Sequence, residues 1–384
     1  MKNLCKTFPW FLIPVIAILF SCRIAEPPAQ SKYHPVMMDY IEIAMNGREF
    51  VLVPSEKTFI PWGLNYGNKG RLMEDYWESE WDTVIEDFRE MKQAGANVVR
   101  VHLQLGKFMS APDKTNEKAL QMLGRLVKLA EQTGIYLDLT GIGCYRTADN
   151  PAWYDVITSE QDRWAVQARF WEAVAATCSS SPAIFCYDLM NEPISPGERR
   201  KPGEWYSGKP FGGYDFIQWI SLDQAGRPRE EIACLWIETM TKAIHKQDSK
   251  HMITVGLLPS TPEWGHLSGF LPEKVAPKLD FISVHIYPEK GKGEQAFKTL
   301  RDFAVGKPVV IEETFPLWCS RDEVEKFLKD SRGIACGWMG HYDGQSPEEL
   351  TQLKKENKIT ISQAIYLDWL ELFQKLNPEY AINQ

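Results

Sequence analysis

Eight apolar, β-rich runs alternate with segments of helical periodicity from residue 36 onward, and no other feature constrains the fold as strongly. The runs are nearly continuous in hydrophobicity, which is typical of parallel strands buried on both faces. They lie at residues 59–64, 98–103, 135–139, 184–190, 252–258, 281–286, 309–311 and 334–339. The amphipathic segments between them stop before glycines such as Gly95 and Gly134, where helices commonly end. The alternation predicts an α/β fold, a single (β/α)8 TIM barrel.

A hairpin precedes the barrel in the sequence. Residues 41–45 and 50–53 flank Asn46-Gly47, a pair that favours the positive φ angles of a tight type I′ turn. A doubly wound open sheet is the alternative architecture, but no G-x-G-x-x-G pattern follows any strand. Because there is no internal repeat or second domain, we expect one domain over residues 38–384, with the hairpin at the barrel bottom.

The first 22 residues predict a targeting segment rather than part of the fold. Lys2 and Lys6 precede an apolar stretch of about 13 residues, which is too short to span a bilayer and fits a signal peptide. The stretch ends Leu19-Phe20-Ser21-Cys22, which resembles the lipobox of bacterial lipoproteins. We therefore expect a lipid on Cys22, a tether over residues 23–37, and an exported protein anchored to a membrane, in the periplasm or at the cell surface. A plain signal peptide, which would leave the protein secreted, and an N-terminal anchor are the alternatives.

The composition argues against several classes of protein. The formal charge is −8 and no run of Lys or Arg forms a basic stripe, so nucleic acid is not an expected partner. None of the six cysteines after the targeting segment lies in a CxxC pair, which argues against a structural zinc site. His102, His341 and Asp343 lack metal-ligand spacing, and we expect neither a metal nor a cofactor.

Polar side chains gather where the predicted strands end, and in an α/β barrel the active site lies at the carboxyl ends of the strands. Two ends are acidic: Asn191-Glu192-Pro193 follows the fourth strand and Glu312-Glu313 follows the seventh. Glycoside hydrolysis uses such a carboxyl pair. One carboxyl is neutral and protonates the leaving oxygen, and the other is ionised and meets the positive charge that develops at the anomeric carbon. Arg100, on the second strand, would keep one carboxyl ionised.

These residues resemble the strand ends of clan A glycoside hydrolases and are most similar to family 5, which includes endoglucanases and endo-β-mannanases. The likeness covers about residue 38 to residue 376 and rests on Asn-Glu-Pro after strand four, Glu after strand seven, Arg on strand two, His-x-Tyr on strand six and Trp on strand eight. The resemblance implies a retaining double displacement on a β-linked polysaccharide, with mannan or glucan as the substrate. Glu192 would be the acid/base and Glu313 the nucleophile.

The resemblance implies roles for five further residues, which are candidates for substrate binding. Arg100 and Tyr287 would orient the nucleophile. Asn191 would bond the sugar 2-hydroxyl, and His285 would line the pocket near the acid/base. Trp338 would form the floor under the sugar at the point of cleavage.

Two departures from the family pattern concern the site itself. The family nucleophile usually precedes an aromatic-glycine pair, whereas this chain reads Glu313-Thr314-Phe315-Pro316. Period-two alternation places Glu313 on the face of Ile311 and Glu312 on the opposite face, and the family spacing favours Glu313 over Glu312 as the nucleophile. The third strand often ends near a His in the family, but here it reads Leu137-Asp138-Leu139-Thr140.

Aromatic residues supply two further candidates for substrate binding. Trp62 lies on the first strand, and Trp205 lies in a long loop at 195–230 that also holds Tyr206 and Trp219. Such rings would stack on sugars, or the loop would form a packed cover with its own small core, and both interpretations stay open. A catalytically inactive carbohydrate-binding barrel, an exo-β-glycosidase and a transglycosylase are the alternatives to an endo-acting hydrolase.

Overall fold

The computed structural model describes residues 37–206, 213–259 and 268–381. The expected signal segment with Cys22, and nearly all of the expected tether, lie outside these ranges. In the part of the chain that the structure describes, no helix is both long and apolar enough to cross a membrane. Every cysteine there is a free thiol.

Eight parallel strands close into a barrel, as the sequence predicts, and the last barrel strand pairs with the first in a continuous ring. In chain order the strands are β1 Tyr40–Ile43, β2 Phe50–Val53, β3 Thr58–Phe59, β4 Trp62–Gly67, β5 Val98–Gln104, β6 Met109–Ala111, β7 Lys114–Thr115, β8 Tyr136–Gly143, β9 Ile184–Asn191, β10 Pro193–Ile194, β11 Gln218–Trp219, β12 Met252–Leu257, β13 Ile282–His285, β14 Val309–Glu313 and β15 Gly337–Asp343. The barrel consists of β4, β5, β8, β9, β12, β13, β14 and β15.

Helices connect the barrel strands. They are α1 Trp81–Gln93, α2 Leu105–Phe108, α3 Glu117–Thr133, α4 Ala152–Asp155, α5 Glu160–Cys178, α6 Arg229–His245, α7 Pro272–Val275, α8 Gly293–Asp302, α9 Arg321–Ser331, α10 Pro347–Lys355 and α11 Ile361–Ala381. Local sequence sets their ends. The Asn116 side chain caps the start of α3, and Gly134 ends that helix in the left-handed conformation, with φ of 64°.

The hairpin of β1 and β2 covers the amino-terminal end of the barrel, as predicted. The Phe50 ring packs edge-on against Phe185 at 5.3 Å and Phe281 at 5.2 Å, where β9 and β13 begin. The expected two-residue type I′ turn is wrong, because pairing stops at Ile43 and Phe50 and only Gly47 of the Asn-Gly pair has a positive φ. Asn46 instead accepts a hydrogen bond from the backbone of Arg48, an Asx turn that supports a wider loop.

Candidate active site

Two carboxyl groups face each other at the carboxyl end of the barrel. Glu192 follows β9 and Glu313 ends β14, and one carboxylate oxygen of each lies within 4.8 Å of the other. Both side chains keep a little exposure, 14% for Glu192 and 13% for Glu313. The structure therefore brings the two predicted catalytic residues together, open to one shared space.

Arg100 on β5 is fully buried beneath Glu313. Its Nη1 donates to Glu313 Oε1 at 2.5 Å and to Asn65 Oδ1 at 2.9 Å. Its Nη2 donates to Asp188 Oδ2 at 2.7 Å and to Asn191 Oδ1 at 3.0 Å. Because the guanidinium is surrounded by protein oxygens, Arg100 orients the carboxylate and does not itself face a sugar.

Tyr287 holds the second oxygen of Glu313. Its hydroxyl donates to Glu313 Oε2 at 2.6 Å and lies 2.8 Å from His341 Nε2. Together with Arg100, this hydroxyl fixes both oxygens of the carboxylate. Charge-assisted bonds of this kind are the strong ones, so the Glu313 side chain has little freedom to rotate.

His285 joins the two ends of the site. Its Nδ1 lies 3.0 Å from Glu192 Oε1, and its Nε2 lies 3.1 Å from Glu312 Oε2. The same Nδ1 is 3.6 Å from Glu313 Oε1. The ring is fully buried, so it acts on the carboxyl groups rather than forming an open wall of the pocket.

The prediction that Glu312 faces away from the site is wrong. Val284 pairs with Ile311 and His285 pairs with Glu313, so the ladder skips Glu312 in a β-bulge. A bulge inserts an extra residue into one strand and breaks the period-two alternation. Both glutamates consequently point into the barrel, Glu312 fully buried and Glu313 at its mouth.

The charges around Glu313 favour its ionised form. Burial alone would raise the pKa of Glu313, but His285 and Arg100 beside it bring that pKa well below the usual range. Burial would likewise lower the pKa of His285, but Glu313, Glu192 and Glu312 raise it to about 10. Burial and the Glu313 charge together raise the pKa of Tyr287, which keeps its hydroxyl protonated as a donor.

The backbone of Glu192 adopts an uncommon conformation. Its φ is +45°, in the left-handed region that residues other than glycine rarely enter. The Glu192 amide donates to the Gly256 carbonyl at 2.8 Å, which anchors the turn to β12. This turn directs the Glu192 carboxyl back over the end of the barrel toward His285.

Two predicted sugar contacts, Trp62 and Trp338, are wrong in position. Trp62 is fully buried and stacks on Phe373 of α11 at 4.5 Å between centroids. Trp338 is buried as well, and its Nε1 donates to Ser331 Oγ at the end of α9. Both rings lie between the barrel and its outer helices, because strand alternation turns them away from the interior.

The long loop after β9 is packed against the protein around Trp205, its first tryptophan. Trp205 is 1% exposed, and its ring lies 3.7 Å from the guanidinium carbon of Arg163. The prediction that Trp205 binds substrate is therefore wrong. The same loop brings Tyr214 and Phe216 to the site instead: their rings stack at 5.6 Å, and the Phe216 carbonyl accepts a bond from Asn191 Nδ2.

Two residues complete the buried network: Asp188, which sequence reasoning missed, and Asn65, a polar residue at the end of the first predicted strand to which it gave no role. Asp188 accepts from Arg100, from Thr140 Oγ1 at 2.7 Å and from the Gly256 amide at 2.6 Å. Asn65 Nδ2 donates to the Glu312 carbonyl at 2.9 Å and ties β4 to β14. The available signal was a single polar residue inside an otherwise apolar strand, which must find a partner when it is buried.

Two groups of side chains have potential ligand atoms close enough to surround a cation: Glu192, His285 and Glu313, and Asp138, Asp188 and Glu312. Each group already contains or touches a cationic side chain. Arg100 Nη2 lies 2.7 Å from Asp188 and 3.4 Å from Glu312. We therefore assign neither group to a metal.

The sequence matches the family model "Cellulase (glycosyl hydrolase family 5)" over residues 61–369. The chain belongs to glycosyl hydrolase family 5. The resemblance inferred from the strand ends is thus confirmed, and the protein is a glycoside hydrolase of the TIM-barrel type.

The hydrolase is similar to curated mannan-degrading enzymes. It is 26% identical to a probable mannan endo-1,4-β-mannosidase A-1 of Aspergillus terreus, over 68% of this chain and 72% of that protein. It is 25% identical to a mannan endo-1,4-β-mannosidase A of Aspergillus aculeatus, over 59% of each chain. The hydrolase thus spans less than two thirds of the second relative.

Solved structures share the fold. An exo-β-1,4-mannosidase from Opitutaceae bacterium strain TAV5 superposes with a TM-score of 0.64 at 16% identity, over 88% of this chain and 62% of the other. A β-1,4-mannanase from the sea hare Aplysia kurodai superposes with a TM-score of 0.60 at 15% identity, covering 90% and 98%. At these identities the structural likeness concerns the barrel alone.

Proposed function

We propose that this hydrolase cleaves β-1,4-linked mannan by a retaining double displacement, with Glu192 as acid/base and Glu313 as nucleophile. The observation that carries the proposal is the separation of less than 4.8 Å between a Glu192 oxygen and a Glu313 oxygen. Retaining glycosidases hold their carboxyl groups about 5–5.5 Å apart, whereas inverting enzymes leave about 6.5–9.5 Å for a water molecule.

Glu313 is suited to the role of nucleophile because its neighbours keep its carboxylate ionised and fix its orientation. Arg100 bonds one oxygen and Tyr287 the other, and the side chain keeps enough exposure for a sugar to reach it. When Glu313 attacks the anomeric carbon, the glycosidic bond breaks and an ester forms between sugar and carboxylate. The Tyr287 hydroxyl stays in place to bond the ester oxygen.

Glu192 suits the acid/base because, within the described ranges, no Arg or Lys is bonded to it, and its carboxyl bonds the His285 ring. It would protonate the leaving oxygen in the first step. In the second step the same carboxylate would remove a proton from the water that attacks the ester. Mannan as the substrate is supported by the names of the curated relatives, and endo action by the same names.

We further propose that the hydrolase is an exported lipoprotein held to a membrane through Cys22. The support lies in the sequence alone, in the apolar stretch that ends Leu19-Phe20-Ser21-Cys22. Two acyl chains on a cysteine give stable anchoring, whereas a single chain gives only marginal binding. Such an enzyme would act on polysaccharide from the outer surface of the membrane that holds it.

Leaving-group dependence tests the assignment of roles. A dinitrophenyl β-mannoside needs little protonation to lose its aryl group, so Glu192→Ala should keep much of its first-step rate on this substrate. On mannan the same variant should lose about 10²- to 10⁴-fold, the usual contribution of general acid–base catalysis. Azide should restore turnover by attacking the ester without a base. Glu313→Ala should be nearly inactive on both substrates, because no ester can form.

Glu86→Ala, an exposed carboxylate on α1, is the matched control and should behave as wild type. Inverted stereochemistry of the first product, seen by NMR immediately after mixing, would contradict the retaining mechanism. Activity on cellulose or xylan without activity on mannan would contradict the substrate, and release of single mannose units alone would contradict endo action.

A further inference from the structure

The two places where this chain departs from the family pattern meet inside the barrel. Asp138 lies on β8 and Glu312 lies at the bulge of β14. Both are fully buried, and one oxygen of each lies within 4.8 Å of the other and of an Asp188 oxygen. The carboxyl groups of Asp138 and Glu312 therefore share one small interior space below the active site.

Three of the four oxygens of these two carboxyl groups lack ordinary donors in the part of the chain that the structure describes. Among the described residues, no N–H or O–H group bonds either oxygen of Asp138, and none bonds Glu312 Oε1. The Cys186 thiol also lies next to Asp138, but a thiol is a weak donor. Two ionised carboxylates this close and this buried would repel each other and leave three acceptors unsatisfied. One bound proton on Asp138 removes the repulsion and satisfies one oxygen of each group, and the Cys186 thiol is left to donate to the other Asp138 oxygen.

We propose that Asp138 is a positioning residue: its carboxyl is protonated and donates a hydrogen bond to Glu312. Glu312 in turn holds the His285 ring against Glu192. The donated bond satisfies Glu312 Oε1 and leaves Oε2 for the His285 ring at 3.1 Å. The role in catalysis rests on the proposed function of Glu192, whereas the shared proton does not.

The surrounding charges agree with this state of protonation. The groups that face Asp138 are Glu312 on β14, Arg100 on β5, and Asp188 and Cys186 on β9. Burial and the Glu312 charge raise the pKa of Asp138 well above its usual range, more than Arg100 lowers it. Burial would also raise the pKa of Glu312, but Arg100 and His285 bring it below its usual range.

The arrangement explains how a residue that touches no substrate would act on the reaction. His285 is buried and bonded at both ring nitrogens, by Glu312 on one side and Glu192 on the other. If Glu312 moved away from an unprotonated Asp138, the ring would follow it. A displacement of about 1 Å at a reacting group costs about 10²-fold in rate.

Infrared difference spectroscopy on the full-length protein tests the proton directly. Wild type minus Asp138→Asn should contain the carbonyl stretch of one protonated carboxylic acid at neutral pH. Wild type minus Asp248→Asn should lack the band, because Asp248 is a buried carboxylate that Tyr187 and His251 hold ionised, with its pKa lowered to about 2. Absence of the band from the Asp138→Asn difference overturns the proposal, whatever the enzyme's substrate proves to be.

The pH dependence of stability gives a second readout. Above about pH 4 the unfolded chain loses the Asp138 proton that the folded chain keeps, so wild type should lose stability relative to Asp138→Asn as the pH rises to 7. The thermal midpoint of Asp138→Asn should therefore increase relative to that of wild type as the pH rises across this range. An equal difference between the two proteins at every pH overturns the proposal.

Kinetics separate positioning from a merely structural role. Asp138→Asn keeps a donor toward Glu312 and should retain kcat on mannan within about threefold, whereas Asp138→Leu should lose about 10²-fold with little change in KM. The loss in Asp138→Leu should be smaller on a dinitrophenyl mannoside, because His285 bonds Glu192 directly, whereas Glu313 keeps its bonds to Arg100 and Tyr287. Equal losses on both substrates, or a divalent metal that restores activity after chelation, overturn the proposal. If Asp138→Leu does not fold, the infrared result on Asp138→Asn still decides.

Discussion

Gly256→Ala isolates the contribution of close packing to the active site. Gly256 lies in β12, and its φ is not in the left-handed region, so alanine meets no backbone strain there. A Cβ at this position would lie 2.8 Å from Arg100 Nη2, 2.9 Å from Glu312 Oε2 and 2.9 Å from His285 Nε2. Carbon needs about 3.5 Å or more, so three buried groups must each move by roughly 0.6 Å.

None of these groups can move without breaking a bond described above, because Arg100 is bonded to four side chains and His285 to two. Overpacking of this kind costs about 1–3 kcal/mol of stability. The shift of Arg100 and His285 by about half an ångström should lower kcat by roughly 10- to 100-fold, with a smaller effect on KM. Urea unfolding and steady-state kinetics on mannan measure both effects.

Gly124→Ala is the matched control. Gly124 lies within α3, and a Cβ there meets only a Thr177 methyl at 3.8 Å, an ordinary contact. Alanine at a helix interior should stabilise the protein by about 0.5–1 kcal/mol and leave kcat unchanged. Wild-type stability and kcat in Gly256→Ala would refute the reasoning, because they would mean that the buried network tolerates a methyl group at its centre.

The remaining predictions concern the surroundings of the site and the chain ends. His251 and Tyr187 bond Asp248, and although burial alone would raise its pKa, these bonds lower it to about 2. Wild type should therefore lose stability relative to Asp248→Asn as the pH falls from about 4 to 2, measured by urea unfolding at each pH. Trp205→Ala should lower the thermal midpoint without a selective rise in KM for mannan, whereas Phe216→Ala should raise that KM more than the KM for an aryl mannoside. Cys22→Ser should release the protein from the membrane fraction; unchanged membrane association would contradict the lipoprotein proposal.

The order of strands was predictable because each barrel strand is a separate apolar run. A parallel strand buried on both faces is apolar along its whole length, so its ends are visible in the sequence. The eight apolar runs therefore match the eight barrel strands to within a few residues. The pair Glu192 and Glu313 was predictable for a related reason. A charged residue directly after an apolar strand must lie at a strand end, and in a barrel all such ends converge.

The direction of individual side chains was harder to predict. Glu312 was assigned to the wrong face because a bulge shifts the alternation at that residue. Trp338 was assigned to the pocket from the family resemblance and Trp62 from its place on the first strand, but the outer helices offer an equally apolar surface for a tryptophan. A sequence pattern distinguishes buried from exposed positions, and it distinguishes the two buried faces of a barrel strand only where the register is regular.

The left-handed backbone of Glu192 sets the stability of the fold against catalytic activity at this position. At φ of +45°, glycine or asparagine would relax a conformation that an ordinary side chain enters only at a cost of about 1 kcal/mol. Replacing Glu192 by glycine should therefore leave a protein with intact folding and no working acid, whereas Glu313 lies in extended strand and offers no such relief. Selection for thermal stability alone would thus favour loss of the acid at this position. Only selection for turnover would keep glutamate there.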